Sequence, residues 1–574
     1  MCGIVGAIAP PRYRGTALQG AGRLLHRGPD AQGSVSIDLP WARVVLGAAR
    51  LAIVDPHPAS MPSVYPRLGV ALAYNGEVFN WRDLRAELSD SAFPWETVGD
   101  TEVVARAWRK WGPDMLPRLN GMFALALVDL RDGCVMLARD RAGEKPLYYA
   151  VDRAQRLLHF ASEIKALPIE LHEQACPEID LFEFDCLERT PWEGVHRFPP
   201  GHRFVADGPD DAADPRPVPW WTLPEPTDDP APLLARQQDA AVDQLADLIA
   251  DAVRIRTEGV DATLLVSGGL DSAIVHRLAD CRRVYCVTFD VPGYDTLAEA
   301  RLAAPDAEIV PITFSAEEAA TELPRIAYHL DTPATWTALA QYFAARAMAH
   351  DGYRVVLSGE GADELFCGYT RYRALWWLGL TRRDPHLACY QPTIDHLVAG
   401  DDRRLVARML DRSAGGACLP DALALIDRFA PRAADAVTAL SRVEWHTTMQ
   451  VLLRMADHMT AAWSVENRSP FLDWRVIELA CRTPLSRKIT PRWSKAILRE
   501  VALRLGVDPR IVAATTKRGF AVPWNVWHAP DAARFERGAF DRSGFAAAMR
   551  EAWRAAFRDR GAAHVFGPPL AATA

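Results

Sequence analysis

The sequence lacks the features that would place it in a membrane or mark it for secretion. No apolar run within its 574 residues reaches the roughly 18 residues that a membrane-spanning helix needs. Its first residues, Met-Cys-Gly-Ile-Val-Gly, hold no basic stretch before an apolar one, as a secretory signal would. The 10 cysteines include no Cys-x-x-Cys pair, a usage typical of reduced thiols. We therefore expect a cytoplasmic protein without a membrane partner.

Positive charge is not in excess either. Lysine and arginine number 65 against 73 acidic residues, which leaves a net charge of −8. A polyphosphate backbone attracts basic surfaces, so this balance argues against a nucleic-acid partner. Small molecules are the expected partners, and a homodimer is left open.

Composition and patterning predict an α/β protein of two domains. Residues 1–205 hold short apolar runs separated by Gly, Pro and Asn turns, which favours strands with a few helices. Residues 206–234 are dense in Pro and Asp, and we expect them to form a linker without regular elements, whose Trp220–Trp221 pair docks on a neighbouring domain. In residues 235–574 a helical stretch precedes an apolar run, a glycine-rich turn and another helix, the pattern of an open parallel sheet with many helices.

Cys2 is a candidate nucleophile because of its position. Its small side chain permits removal of the initiator methionine, which would leave Cys2 with a free α-amine. An α-amine titrates near pH ~8 and can accept the thiol proton, so one residue can supply nucleophile and base. An incidental cysteine in a buried first strand is the competing interpretation, and position alone does not separate the two.

Three later motifs favour the nucleophile. They are 50–55 (Arg-Leu-Ala-Ile-Val-Asp), 75–77 (Asn-Gly-Glu) and 99–102 (Gly-Asp-Thr-Glu). Together they supply a planar cation for a carboxylate, an amide beside a flexible backbone N–H for an oxyanion, and an acid for an ammonium group. This inventory suits an α-amino acid whose side-chain carbonyl is attacked.

With these motifs the first domain resembles the class II, N-terminal-nucleophile glutamine amidotransferases. The resemblance extends through residues 26–30, 120–123, 139–141, 145–149 and 160–165. It implies an αββα Ntn-hydrolase sandwich that hydrolyses glutamine to ammonia. It also implies Cys2 as the nucleophile, and Asn75 with the Gly76 N–H as the oxyanion site. The glutamine-binding residues that it implies are Arg50, Leu51, Ile53, Val54, Asn75, Gly76, Glu77 and Asp100.

A second set of motifs begins with residues 267–272 (Ser-Gly-Gly-Leu-Asp-Ser), which follow an apolar strand and open a helix. Small residues let backbone N–H groups approach phosphate oxygens, and the helix N-terminus adds positive potential. The loop lacks the lysine and the spacing of a Walker loop. Residues 358–369 (Ser-Gly-Glu-Gly-Ala-Asp-Glu-Leu-Phe-Cys-Gly-Tyr) place carboxylates beside glycines, a composition that suits Mg²⁺.

These segments, with residues 464–473, Lys495 and residues 517–520, resemble the ATP-pyrophosphatase synthetase domain of the asparagine synthetase family, a parallel-sheet, adenine nucleotide α-hydrolase-like fold. The resemblance implies ATP and Mg²⁺, and an acceptor carboxylate that is adenylated, with release of pyrophosphate, and then captured by ammonia. It assigns Asp271 and Asp363 to the metal, Glu360 to formation and aminolysis of the acyl-adenylate, and Lys495 to charge on the transferring phosphate. The ATP-binding residues that it implies are Leu265, Ser267, Gly268, Gly269, Asp271, Ser272, Val287, Ser358 and Gly359.

The sequence departs from the family in the region expected to bind the acceptor. After Tyr328-His329-Leu330-Asp331, an ungapped comparison puts Leu339 where asparagine synthetases carry an arginine, and leucine cannot pair with the α-carboxylate of aspartate. The segment 292–313 also looks shorter than in those enzymes. Two acceptors therefore stay open: aspartate, or a carboxylate of a specialised metabolite or peptide.

Two other interpretations are weaker. A non-catalytic relative should have lost at least one of Cys2, the 267–272 loop or Glu360. A class II amidotransferase with a phosphosugar domain should carry other motifs after residue 230, where the pyrophosphate loop stands instead. Since ammonia must pass between two sites, we also expect an apolar passage between the domains.

Overall fold

The computed structural model describes residues 2–55, 61–176, 185–225, 235–333, 335–383, 419–515, 521–528 and 542–558, with a few single positions between them. Among these residues, no helix is both long enough and apolar enough to cross a membrane. The motif at 517–520 and Ala334 lie outside the described residues.

The first part of the chain is built from antiparallel strands and short helices. Its strands are β1 (Cys2–Ala9), β2 (Ala31–Asp38), β3 (Arg43–Arg50), β4 (Ser63–Tyr65), β5 (Val70–Val78), β6 (Gly121–Asp129), β7 (Val135–Arg139), β8 (Tyr148–Asp152), β9 (Leu157–Ala161), β10 (Val195–Arg197), β11 (His202–Ala206) and β12 (Val218–Pro219). Its helices are α1 (Leu18–Gly22), α2 (Trp81–Glu87), α3 (Asp100–Trp111) and α4 (Pro209–Ala213), with 3₁₀ turns at Gly112–Arg118 and Ile164–Ala166.

These strands form two stacked sheets, with orders β10-β8-β9-β1-β3-β2 and β12-β11-β7-β6-β5-β4. Their facing sides share one apolar cluster, in which Ile4 and Leu46 of the first sheet join Ala73 and Ala126 of the second. Helix α1 covers the outer side of the first sheet, and α3 packs on β5 at the outer side of the second. The result is the predicted αββα sandwich.

The second part is mostly helical. Its helices are α5 (Ala235–Thr257), α6 (Leu270–Ala279), α7 (Leu297–Ala303), α8 (Ala316–Leu330), α9 (Thr337–His350), α10 (Ala362–Leu365), α11 (Thr370–Arg383), α12 (Leu419–Phe429), α13 (Ala436–His446), α14 (Thr448–Ala461), α15 (Trp474–Arg482), α16 (Leu485–Lys488), α17 (Ala496–Arg504), α18 (Pro509–Ala513), α19 (Trp524–His528) and α20 (Arg542–Arg558). A 3₁₀ turn spans Pro470–Leu472.

Five parallel strands form the sheet of this part. They are β13 (Ala262–Leu265), β14 (Arg283–Val287), β15 (Glu308–Ile312), β16 (Val355–Leu357) and β17 (Glu466–Arg468), in the order β15-β14-β13-β16-β17. From β13 the chain adds β14 and then β15 on one side, and it returns to add β16 and then β17 on the other side. Ligands bind open α/β sheets where the strand order reverses, beyond the carboxyl ends of the strands. Here that position lies between β13 and β16, whose register pairs Leu264 with Leu357.

Residues 206–234, predicted to form a linker without regular elements, contain a short helix, α4, and a short strand, β12. Helix α4 begins where the Asp211 carboxylate accepts hydrogen bonds from the backbone of Asp207 and Gly208, both at 3.0 Å. Strand β12 then pairs with β11 at the edge of the second sheet. The expectation failed because aspartate next to proline suits a helix N-terminus as well as a loop. Residues 226–234 lie outside the described residues.

The tryptophan pair predicted to dock on a neighbouring domain contacts both parts of the chain. The Trp220 indole N–H donates to the carbonyl of Arg139 at 3.2 Å, and its ring stacks on Phe123 with 6.1 Å between centroids. Trp221 packs instead against the apolar cluster of the parallel sheet. The pair therefore anchors the connection on both sides.

Candidate active sites

Cys2 lies at the start of β1, a central strand of the first sheet, opposite Arg50 of β3. Its backbone N–H donates to Oδ1 of Asn75 at 3.0 Å, and its carbonyl accepts from the Arg27 guanidinium at 3.0 Å. Burial raises the pKa of the thiol, against the lowering effect of the N-terminal charge and of a hydrogen bond from the Leu51 backbone. The surroundings therefore hold Cys2 as a thiol, and a base is needed to activate it.

Asn75 and Gly76 of β5 lie beside this thiol. Because Asn75 uses its oxygen for Cys2, its amide nitrogen Nδ2 is left buried without a hydrogen-bond partner among the described residues. A Cβ atom on Gly76 would lie 2.3 Å from the Met122 carbonyl oxygen, so only glycine fits there. A buried amide donor without a partner next to a nucleophile is the arrangement that stabilises an oxyanion.

A cavity opens in front of Cys2. All the predicted glutamine-binding residues line it except Asn75, which contacts Cys2 from the side. The lining residues are Cys2, Arg50, Leu51, Ile53, Val54, Asp55, Met61, Ser63, Tyr65, Tyr74, Gly76, Glu77, Thr97, Gly99, Asp100 and Thr101. The fold thus places around one space a set of residues that the sequence motifs had grouped.

Two buried carboxylates occupy the far wall of this cavity. Asp100, at the start of α3, accepts hydrogen bonds from the Tyr74 hydroxyl at 2.7 Å and from the Val78 N–H at 2.9 Å. Burial raises the pKa of Asp100, although these hydrogen bonds lower it. Burial and the neighbouring Asp100 together raise the pKa of Glu77 well above its ordinary value, against the Arg468 guanidinium. The wall therefore favours a cationic ligand group.

The predicted pyrophosphate loop joins β13 to the N-terminus of α6. The Ser267 hydroxyl accepts a hydrogen bond from the Gly269 N–H at 3.4 Å, and the Ser272 hydroxyl donates to the Gly269 carbonyl at 3.2 Å. Gly268 has a φ of +72°, and a Cβ there would lie 2.6 Å from the Cβ of Glu299. This geometry keeps the loop compact and leaves the start of the helix open to an anion.

The loop after β16 meets the one after β13. A Cβ atom on Gly359 would lie 2.8 Å from that of Asp271, and the Ser358 hydroxyl is 2.9 Å from that of Ser469. Leu265 and Val287 end the neighbouring strands β13 and β14 at the same sheet edge. The predicted ATP-binding residues therefore converge where the strand order reverses.

Asp271 and Asp363, predicted to hold the metal, converge on the ammonium group of Lys495. The Lys495 Nζ lies 2.7 and 2.6 Å from the two Asp271 oxygens and 2.7 Å from an Asp363 oxygen. A Cβ atom on Gly368 would lie 1.8 Å from the Asp363 carboxylate and 2.1 Å from Cε of Lys495, so the cluster needs a glycine there. Within the described residues no group of three or more His, Cys, Asp or Glu forms a metal site. Two carboxylates that share a cation nevertheless fit Mg²⁺, which takes one or two protein carboxylates beside phosphate oxygens.

Glu360 lies between two amide side chains that sequence reasoning did not single out. Gln341 of α9 donates to one carboxylate oxygen at 3.1 Å, and Asn467 of β17 faces the other at 3.4 Å. Loss of solvent and the nearby Glu364 raise the pKa of Glu360 to about 8, although both amides lower it. Asn467 stands inside the 464–473 motif, but Gln341 has no local signal that could have revealed it.

Leu339 is fully buried in an apolar cluster on α9, two residues before Gln341. It takes part in the core and presents no polar group to a ligand. Leu339, which stands where the family pattern has an arginine, is therefore a core residue.

A buried charge cluster joins the two parts of the chain. Asp457 of α14 lies 2.6 Å from the Arg27 guanidinium and 3.2 Å from the Lys145 ammonium. Asp331, in the second part, accepts hydrogen bonds from the backbone of Ile164 at 2.7 Å and Lys165 at 3.1 Å. Several motifs of the first domain, including 26–30 and 145–149, thus contact the second domain.

Comparison with known proteins agrees with this architecture. The glutamine amidotransferase domain family matches residues 1–216, and the asparagine synthase family matches residues 244–562. Asparagine synthetase [glutamine-hydrolyzing] 1 of Bacillus subtilis is 30% identical, over 92% of this chain and 88% of its own length. A putative asparagine synthetase [glutamine-hydrolyzing] of Mycobacterium bovis shows 30% identity over the same shares. Amidase chyE of Penicillium rubens is 27% identical, over 88% of this chain and 84% of its own.

The fold and the two sites define a class of enzyme, in which a glutamine amidotransferase domain is joined to an ATP-dependent ligase domain. The chain belongs to the asparagine synthase family.

Proposed function

We propose that the protein converts an acceptor carboxylate to a carboxamide, with ATP as the activating substrate and glutamine as the nitrogen donor. The observation that carries this proposal is the pairing of two centres in one chain: the Cys2 cavity, and the loops after β13 and β16 that meet where the strand order reverses. We assign glutamine hydrolysis to residues 1–205 and amide formation to residues 235–574, with 206–234 as the connection.

In the first centre, Cys2 attacks the side-chain carbonyl carbon of glutamine. Its own α-amine, exposed once Met1 is removed, takes the thiol proton. The unpartnered Nδ2 of Asn75 and the N–H of Gly76 hold the oxyanion. The α-ammonium passes this proton to the leaving nitrogen, which departs as ammonia, and water then hydrolyses the thioester to glutamate.

The rest of the cavity holds the amino-acid end of glutamine. Arg50 pairs with the α-carboxylate, since its guanidinium presents two parallel donors. Glu77 and Asp100 receive the ammonium group. Leu51, Ile53 and Val54 form the wall along the side chain.

In the second centre, the acceptor carboxylate attacks the α-phosphorus of ATP, and pyrophosphate leaves. The loop residues Ser267, Gly268, Gly269 and Ser272 cradle the pyrophosphate at the start of α6. Leu265, Val287, Ser358 and Gly359 hold the nucleotide at the sheet edge. Lys495 stabilises charge on the transferring phosphate when its ammonium turns from the two aspartates.

Asp271 and Asp363 would hold Mg²⁺, which offsets phosphate charge when bound. Ammonia then attacks the acyl-adenylate carbon, and AMP leaves. Glu360, with a pKa raised to about 8, can accept a proton from the attacking nitrogen near neutral pH.

The acceptor has two candidates. Aspartate is the first, since relatives of high coverage are named asparagine synthetases. A specialised carboxylate is the second, and it is favoured by the buried Leu339, which offers no charge to an α-carboxylate, and by a relative that is named an amidase.

The test is mass spectrometry of a reaction with aspartate, amide-¹⁵N glutamine, ATP and Mg²⁺, with the chain in catalytic amount. Labelled asparagine and AMP in equal amounts would identify aspartate as the acceptor. Glutamate without asparagine would support the specialised carboxylate, which a panel of acids, scored by exchange of labelled pyrophosphate into ATP, would then identify. Absence of both glutamate formation and exchange across that panel would overturn the proposal.

A further inference from the structure

Strand β17 contributes to both centres through alternating side chains. Neighbouring residues of a strand point to opposite sides. Asn467 faces Glu360 of the second centre, whereas Glu466 and Arg468 point the other way, toward the first domain. One three-residue strand of the second domain thus reaches Glu77, which lines the cavity in front of Cys2.

Arg468 is held firmly in this position. It is 2% exposed, and its Nε donates to the Glu466 carboxylate at 2.8 Å while Nη1 donates to the Arg256 carbonyl at 2.7 Å. The remaining nitrogen, Nη2, lies 3.7 Å from the Glu77 carboxylate and has no hydrogen-bond partner in the described parts of the chain. This corner of the guanidinium therefore faces the cavity wall.

Apart from Arg468, most of the charged groups around Glu77 disfavour its ionised form. The acidic groups that face it are Asp100 of α3, Glu466 of β17 and the Tyr74 hydroxyl of its own strand, and the cations are Arg468 and the N-terminal amine. Two carboxylates that share a buried wall repel each other, so one tends to take up a proton. A fixed cation from outside the domain counters that tendency.

We propose that Arg468 is a positioning residue of the glutamine site, supplied by the second domain and acting through Glu77. Its guanidinium favours the ionised form of Glu77 and orients that carboxylate toward the ammonium group of glutamine. The glutamine site is then complete only when the two domains are docked. This inference rests on the proposed glutamine hydrolysis and adds a residue that lies outside the amidotransferase domain.

The test compares glutamine hydrolysis by Arg468→Met, Glu77→Gln and the double variant with that by the unaltered chain. We expect Arg468→Met to raise the KM for glutamine roughly tenfold and to change kcat by less than about threefold, because an interaction with bound substrate is lost rather than one with the transition state. The double variant should be no worse than Glu77→Gln, since both changes remove the same charge. Additive effects would mean that Arg468 does not act through Glu77.

The pH profile separates positioning from a merely structural role. Loss of the guanidinium raises the pKa of Glu77 further, because Arg468 is a group that lowers it. The fall of the glutamine KM with rising pH, measured below the pKa of the glutamine ammonium group, should therefore occur at higher pH in Arg468→Met than in the unaltered chain. The double variant shares every other titrating group and should show no such shift. Equal pH dependence in both would overturn the inference.

Two controls test folding. Arg442, which donates to the Pro224 carbonyl at 2.9 Å and does not line the cavity, should leave the glutamine KM unchanged when replaced by Met. Should Arg468→Met fail to fold, Arg468→Lys keeps the charge and should show a lower KM than Glu77→Gln; an equally high KM would overturn the inference. If the unaltered chain does not hydrolyse glutamine, the proposed function fails instead.

Discussion

In the proposed reaction, Cys2 and Glu360 carry separate halves of the chemistry, and each has neighbours that distinguish it from other cysteines and glutamates of the chain. The Cys2 thiol is buried with an unpartnered amide nitrogen of Asn75 beside it, as far as the described residues extend. Glu360 lies between the amides of Gln341 and Asn467, and its pKa is raised to about 8. The first arrangement favours attack on a carbonyl, and the second favours proton transfer near neutral pH.

Replacement of these residues should have opposite outcomes with free ammonium. In Cys2→Ala, glutamine-dependent amide formation should fall by on the order of 1000-fold or more, because the nucleophile is gone. Ammonium chloride should restore it, since the second centre is unaltered.

Glu360→Ala should keep glutamine hydrolysis and lose amide formation with either nitrogen source. Mass spectrometry of the amide product, with glutamine or ammonium as the nitrogen source, tests both Cys2→Ala and Glu360→Ala. Rescue of Glu360→Ala by ammonium would contradict its role, and glutamine hydrolysis by Cys2→Ala would contradict the nucleophile.

Among the elements, the turn from β13 into α6 depends on a single glycine. Gly268 adopts a φ of +72° and packs against the chain at Glu299, where a Cβ would come within 2.6 Å of a side chain and 3.0 Å of the backbone. Any other residue must shift the turn, and with it the N–H groups at the start of the helix.

Gly268→Ala should therefore weaken the ATP-dependent step and spare the glutaminase. We expect the KM for ATP to rise by at least about tenfold, measured by pyrophosphate exchange, with glutamine hydrolysis within about twofold. Gly352 is the matched control, because it also has a positive φ, +88°, but a Cβ there would meet no described atom within 4 Å. Equal loss of exchange in Gly352→Ala would show that backbone strain, rather than crowding at the loop, is responsible.

For the whole molecule, the contact between domains is partly electrostatic and buried. Arg27 and Lys145 of the first domain share Asp457 of the second, and all three are at most 3% exposed. The two cations hold the pKa of Asp457 below its ordinary value, although burial opposes them. An apolar passage for ammonia stays a prediction, and this cluster shows that the interface is not uniformly apolar.

Removal of the shared carboxylate should destabilise the protein strongly. Asp457→Ala leaves two buried cations without their partner, a change that typically costs about 3–5 kcal/mol. Arg354→Ala breaks an exposed interdomain pair with Asp30, worth about 0–1 kcal/mol. Chemical denaturation of both variants measures the difference. Similar stabilities would show that the buried cluster does not hold the domains together.

The element types could be predicted from the sequence, and so could the motifs whose residues the fold brings together at two places. Strand patterning, the loop at 267–272 and the acidic run at 358–369 are local signals, because side-chain periodicity and turn chemistry depend on neighbouring residues. The helix in the Pro- and Asp-rich segment could not be separated from a loop, since both use the same residues.

By itself, then, the sequence determined the two kinds of chemistry and the residues of each motif. Only the tertiary structure decided which residues lie beside them: Arg468 beside Glu77, Gln341 and Asn467 beside Glu360, and Lys495 between two aspartates. These pairs join different elements, and the Arg27–Asp457 pair spans 430 positions. A local pattern records which face of an element is buried, but the partner across that face is chosen by how the elements pack.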